Sequence, residues 1–323
     1  MSEVFVKQLF DYLNSCVDHH LQNATNLKEL LGFLAKFQSP VSIRNKLLTF
    51  GYNPGATDIH TKDEWLKFGI SVLDEDAVIC NLQKNPESEL GYEERIMYDI
   101  SSTDATPKSF EVFPDASFLA ERLLICSPCP VKFRESLIDG NRKSGYDPWK
   151  RIIEVTSGFK DEEQVCYGLL REYAHFYFHE DTIKRNVERG RNHTKGDSVD
   201  IGSRGNGDSC QYSIGYDREK HLVEAQAVSY ALCVRYDITP SPLDVVSPPE
   251  GKPEDRMEIL KGLDSVIEMI SKRIEEGGRQ QRRFLNQENA TVDKGNLTDS
   301  EKTQSTGDVH TSTVQRNVPE QGG

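Results

Sequence analysis

The residues of this chain that could do chemistry centre on Arg171-Glu172-Tyr173-Ala174-His175. The stretch differs by one residue from H-E-x-x-H. In that motif two histidines one helical turn apart hold a zinc ion, and the glutamate beside the first acts as general base on metal-bound water. Here the glutamate and the second histidine are present and the first histidine is an arginine. A guanidinium keeps its proton at any useful pH and has no lone pair for a metal. The expectation is a metallopeptidase plan damaged at its first ligand. Glu172 is the only candidate general base, and the leading reading is that the chain is not an enzyme.

The third ligand of such a site comes from a second helix. His221 to Tyr230 supplies one, with apolar and small residues at helical spacing and Glu224 embedded among them. A carboxylate on a packed helix needs a partner, because burying it unpaired is expensive. Zn²⁺ would serve in a working site; here Arg171 is the expected partner of Glu224. His175 and His179 are also spaced i, i+4 and form a shifted pair of candidate ligands, although Phe176 then stands where the general base should be. The alternative is that His179 merely flanks the end of its helix. The candidate metal residues are therefore His175, Glu224 and His179. No cofactor is expected to be required, and Zn²⁺ is the ion to test if the altered site is retained.

Composition narrows the field. The 323 residues suffice for two cores and a tail. Lys and Arg number 39 against 52 Asp and Glu, a net charge of −13, which argues against a protein that coats nucleic acid through overall basicity but leaves room for a local basic patch. Seven scattered cysteines, an acid at Glu3 and no long apolar run fit a soluble protein of a reducing cytoplasm, without a membrane partner. Cys126-Ser-Pro-Cys129 is a lone C-x-x-C pair, too few residues for a zinc knuckle.

The positioning elements follow from periodicity. Helices are expected over 1–22, from Leu27 to Phe37, after a Ser42 cap, around Trp65, at Ala116–Leu124 and at Asp161–His179. Another covers the Glu224 region, and Asp255–Glu276 reads as a charged final helix. Strands are expected at Thr57–Ile59, Ala77–Leu82, Arg95–Ile100 and Arg151–Val155. Ser101–Lys108 reads as a linker, 181–217 as a long loop, Thr239–Pro253 as a Pro-rich connector, and the residues from 277 as a disordered tail.

In order and spacing, several patches between about 26 and 275 resemble the ArdC antirestriction and LtrC-like proteins of conjugative plasmids and transposons. They are Phe33–Phe37, Ser42–Leu48, Asn53–Thr57, Trp65–Gly69 and Tyr98–Thr103, then Arg171–His175 and Glu224–Tyr230. The resemblance implies an α+β protein with a single-stranded-DNA-binding domain at 1–108 (core 26–104). A zincin-like, mostly helical domain at 109–276 and the tail at 277–323 would follow. It implies single-stranded DNA as partner, with protein partners for the second domain. Two departures stand out. Arg171 replaces the first metal histidine, and Asp74-Glu75-Asp76 occupies a place where the family carries a basic loop; three acids there repel phosphate.

Single-strand binding needs cations for the backbone and aromatic faces for bases. The candidates are Lys36, Arg44, Asn45, Lys46, Trp65 and Lys67, with Arg44 and Asn45 at a helix start where backbone N–H groups favour phosphate. The competing readings are a zinc metallopeptidase with an altered metal site and a pseudo-peptidase scaffold for protein contacts.

Overall fold

The computed structural model describes residues 3–107, 109–110, 112–135, 143–193, 216–239 and 255–279, without the side chains of 189–193. The expected tail beyond 279, residues 240–253 of the connector, residues 194–215 of the expected loop and Cys210 lie outside the described residues. Contacts group Met1–Gly277 into one unit and Gly278–Gly323 into another, and the core lies in the first.

The fold is mixed α+β. It begins with three helices, α1 (Glu3–His20), α2 (Ala24–Lys36) and α3 (Ile43–Tyr52). Their starts are written in the sequence: the Asn23 side chain accepts from Asn26 N–H at 2.9 Å, and Ser42 accepts from Asn45 N–H. Next come β1 (Ile59–His60), α4 (Lys62–Lys67), β2 (Val78–Lys84) and β3 (Tyr92–Asp99). The short α4 is held by a Thr61/Glu64 capping box and closed by Gly69 in the left-handed region at φ 75°. The strands form an antiparallel sheet in the order β1-β3-β2, with Ile79 opposite Met97 and Cys80 opposite Ile96.

The second half contributes α5 (Ala116–Ile125), β4 (Val131–Arg134), β5 (Ser144–Asp147) and β6 (Ile152–Thr156). It continues with α6 (Glu162–His193), α7 (Leu222–Arg235) and α8 (255–279). Here β6 is central, parallel to β4 and antiparallel to β5. Neither β4 nor β5 is legible as a strand from sequence: β4 alternates weakly and β5 contains a glycine.

Two segments differ from expectation. Helix α6 does not stop at His179 but runs 14 residues further, through the start of the expected loop. Residues 180–189 are mostly helix-tolerant charged side chains, and Asp181 pairs with Arg185 at i, i+4, so polarity there marks an exposed helix. The expected linker at 101–108 begins as a 3-10 turn (Ile100–Ser102) with Ser102 and Thr103 buried. Thr103 also bridges to Val72.

Among the described residues one large hydrophobic cluster runs from Val6 to Ile274, taking residues from both sides of position 108. Leu30 and Leu47 share it with Leu170, Ala231 and Ile267, and each fully buried aliphatic side chain contributes about 1.5–3 kcal/mol by leaving water. Trp65, Tyr98 and Ile100 form a small satellite cluster. None of the described helices is long and apolar enough to cross a membrane.

A saturated carboxylate at the candidate site

Glu172 is the centre of the candidate site, and it is fully buried. It lies on α6 where that helix packs against β5. The approach is close because of Gly168, one turn earlier: a Cβ there would meet the Phe159 ring at 2.9 Å and Ser144 Oγ at 3.1 Å. Both carboxylate oxygens are fully engaged. Oε1 accepts from Ser144 Oγ (3.1 Å), from Arg171 Nε and Nη2 (3.1 and 3.0 Å) and from Arg218 Nη2 (2.9 Å). Oε2 accepts from the Tyr146 backbone N–H (2.8 Å) and Arg218 Nη2 (2.7 Å). Burial alone would raise the pKa of Glu172. Arg171 and then Arg218 outweigh it and hold the carboxyl down at about 2.

His175 and His179 on α6 are fully buried and neutral. His175 Nδ1 meets Tyr216 Oη at 2.7 Å, and His179 Nδ1 meets Tyr146 Oη at 2.9 Å. In each ring Nε2 has no hydrogen-bond partner among the described residues. Burial pushes the His175 pKa down to about 3 against the pull of Glu172, with Arg218 and Arg171 adding to the fall. Burial and then Arg151 push His179 to about 4. His179 therefore sits mid-helix inside the protein and does not flank a helix end.

Glu224 Oε2 is hydrogen-bonded to His221 Nδ1 at the start of α7. The His221 ring is stacked between Phe178 (5.4 Å, 12°) and Tyr216 (5.3 Å, 6°). The pair borders a cleft of about 800 Å³ between α6, α7 and α8. The Arg171–Glu224 pair expected from sequence is not formed: Arg171 bonds Glu172 and Ser144 Oγ, and Glu224 bonds His221.

These residues do not fit a hydrolytic zinc centre. A guanidinium stands at the first ligand position. Among the described residues no group of three or more His, Cys, Asp or Glu side chains is placed to hold a metal ion. A general base needs a free lone pair and a pKa near neutrality; Glu172 has neither. Sequence reasoning missed Ser144, Tyr146, Tyr216 and Arg218. The only available signal was the Tyr216-Asp217-Arg218 run just before the His221 helix.

The expected DNA-contacting residues separate into two groups. Lys36, Arg44 and Lys67 are exposed, and Arg44 Nη1 donates to Tyr92 Oη at 3.1 Å. The other three face inward. Asn45 clips α3 to β2 through both backbone groups of Leu82 (3.0 and 2.9 Å). Lys46 is buried and bonds Asp264 (2.8 Å) and Glu268 (2.5 Å) on α8. Trp65 is only 2% exposed and donates Nε1–H to the Tyr98 carbonyl at 2.9 Å. Beside it, Leu66 (69%) and Phe68 (61%) are open to solvent. Within the acidic loop, Glu75 pairs with Lys62 at 2.7 Å.

No family model matches the chain, and no curated protein matches it. Two solved structures of the antirestriction protein ArdC from plasmid R388 are similar to it. The Mn(II)-bound form matches at TM-score 0.41 and 10% identity, over 73% of this chain and 84% of that one. The metal-free form matches at TM-score 0.42 and 10% identity, over 84% of this chain and 98% of that one.

Proposed function

We propose that this chain is a single-stranded-DNA-binding, antirestriction-type protein of a mobile genetic element, acting in the cytoplasm. Residues 1–108 carry the DNA contact, and 109–276 are a zincin-like scaffold without catalytic activity. The observation that carries the second part is the saturation of Glu172 by Arg171, Arg218, Ser144 and the Tyr146 N–H. A carboxylate so held neither activates water nor takes up a proton near neutral pH.

For the DNA contact, the supporting feature is an exposed ring beside exposed cations. Phe68 offers a face for base stacking, with Lys67 adjacent, and Lys36 and Arg44 are exposed on α2 and α3. Trp65 then acts as the buried support of α4, and Phe68 takes the stacking role that the sequence assigned to the tryptophan.

The test is fluorescence anisotropy of a labelled single-stranded oligonucleotide at low and moderate salt, with a duplex control. Sequence-tolerant binding that weakens steeply with salt is expected, and Phe68→Ala should weaken it by about 1–3 kcal/mol. No binding at low salt would end the DNA reading and move attention to protein partners of the scaffold.

A further inference from the structure

We infer that two guanidiniums close the place a metal ion would take beside Glu172, and that Arg218 is the second of them. Metal exclusion is then a property of a pair of residues, and reversing the one visible in the sequence does not restore the site. This rests on the non-catalytic reading of 109–276 and is independent of DNA binding.

The argument starts from charge. In an H-E-x-x-H site the cation beside the glutamate is the metal. Here Arg171 and Arg218 supply two positive charges to one carboxylate, from opposite sides in the chain. Arg171 reaches Glu172 from the preceding residue of α6, and Arg218 reaches it from the turn that leads into α7. Arg218 Nη2 contacts both oxygens, so replacing Arg171 alone leaves Glu172 bridged and a full positive charge in place. A divalent ion entering beside that charge meets repulsion in a poorly solvated setting, where Coulomb terms are several-fold larger than in water.

The rest of the site has kept the form that metal ligation needs. His175 Nδ1 is held by Tyr216 Oη, and its Nε2 is buried without a partner among the described residues. Fixing one ring nitrogen by a hydrogen bond while leaving the other free is how proteins orient an imidazole ligand. Among the described residues the buried Nε and Nη1 atoms of Arg218 have no acceptors, and its side-chain bonds are the two to Glu172. The imidazole is oriented and the cationic place is filled by protein.

The experiment uses the full chain and its variants Arg171→His, Arg171→His/Arg218→Leu and Arg171→His/Arg218→Gln. Each is equilibrated with Zn²⁺, freed of loose metal and assayed for zinc with a chromophoric chelator; thermal melts with Zn²⁺ and with EDTA report folding. The wild-type chain and Arg171→His are expected to keep no stoichiometric zinc and to melt alike in both buffers. A double variant that melts cooperatively is expected to retain close to one zinc per chain and to melt higher with Zn²⁺. Its ligands would be the imidazole introduced by Arg171→His, His175 and a third group from the start of α7. Stoichiometric zinc in Arg171→His alone would overturn the role of Arg218 while leaving the wild-type reading intact. Stoichiometric zinc in the wild type would overturn both. A folded double variant that binds no zinc, or failure of both doubles to fold when Arg171→His folds, would show that something other than charge exclusion keeps Arg218 in place.

Discussion

Among the described residues, the ion clusters around two buried charges, Glu172 and Lys46, are charge-inverted versions of each other. At one, two arginines surround the carboxylate of Glu172. At the other, two carboxylates, Asp264 and Glu268, surround the ammonium of Lys46. Burial works against the charged form of both Glu172 and Asp264, yet the outcomes are opposite: the Glu172 pKa falls to about 2, while that of Asp264 rises to about 6. The difference lies in how many donors each oxygen receives. Glu172 has two guanidiniums, a hydroxyl and a backbone N–H. Asp264 has one ammonium, shared with a neighbour whose own negative charge raises it further. A buried carboxylate stays ionised when donors outnumber what its desolvation removes.

The largest expected effect is at the first cluster. Glu172→Gln leaves two guanidiniums facing a neutral amide inside the protein, and should destabilise the fold by about 3–5 kcal/mol. Chemical denaturation of the full chain measures it. A loss below about 1 kcal/mol would mean that water enters readily and the clusters do not differ as described.

The pH dependence should carry opposite signs. Glu172 has a folded pKa below its ordinary value of 4.5, so its contribution is present above 4.5 and is lost as pH falls towards 2. Asp264 has a folded pKa above its ordinary 3.8, so its contribution is present below 3.8 and is lost as pH rises through 6. Relative to Asp264→Asn, the wild-type chain should therefore lose on the order of 2 kcal/mol between about pH 4 and pH 7. Denaturation midpoints across that range decide it, and a gap that does not move would place Asp264 in a wetter setting.

Replacing the second cluster by apolar groups sharpens the contrast. Lys46→Met/Asp264→Leu removes a buried charged pair together and should change stability by no more than about 1 kcal/mol, in either direction. A loss as large as that of Glu172→Gln would show that the lysine holds α3 on α8 through charge and not through packing.

The fold was largely legible because its helices and first sheet follow local rules. Ser42 caps α3 as its side chain and position require, while β2 buries the run Ile79–Leu82 and β3 the run Met97–Asp99. The site was legible only where its residues are neighbours in sequence. Arg171, Glu172 and His175 lie on one helix, and their chemistry can be read from spacing. Ser144, Tyr146, Tyr216 and Arg218 reach Glu172 and the two histidines by tertiary packing, from a glycine-containing strand and a polar turn that carry no periodic signal. The same limit explains Lys46 and Trp65. A lysine among surface-like neighbours and a tryptophan on a six-residue helix both read as available for a ligand, and only the positions of Asp264 and Tyr98 turn them inward.

The smallest effect isolates the cause of the Asp264 shift. Glu268 is more than half exposed, so Glu268→Gln should alter stability by less than about 1 kcal/mol although its bond to Lys46 is 2.5 Å long. It nevertheless removes the negative charge that raises Asp264. The Asp264 carboxyl should then titrate lower than 6, which NMR of that carboxyl follows directly. A titration midpoint that stays put would assign the whole shift to burial and leave Glu268 a surface bystander. A stability loss matching that of Glu172→Gln would mean that an exposed carboxylate supports the buried lysine as strongly as two partly buried arginines support Glu172, and donor count would no longer separate the two clusters.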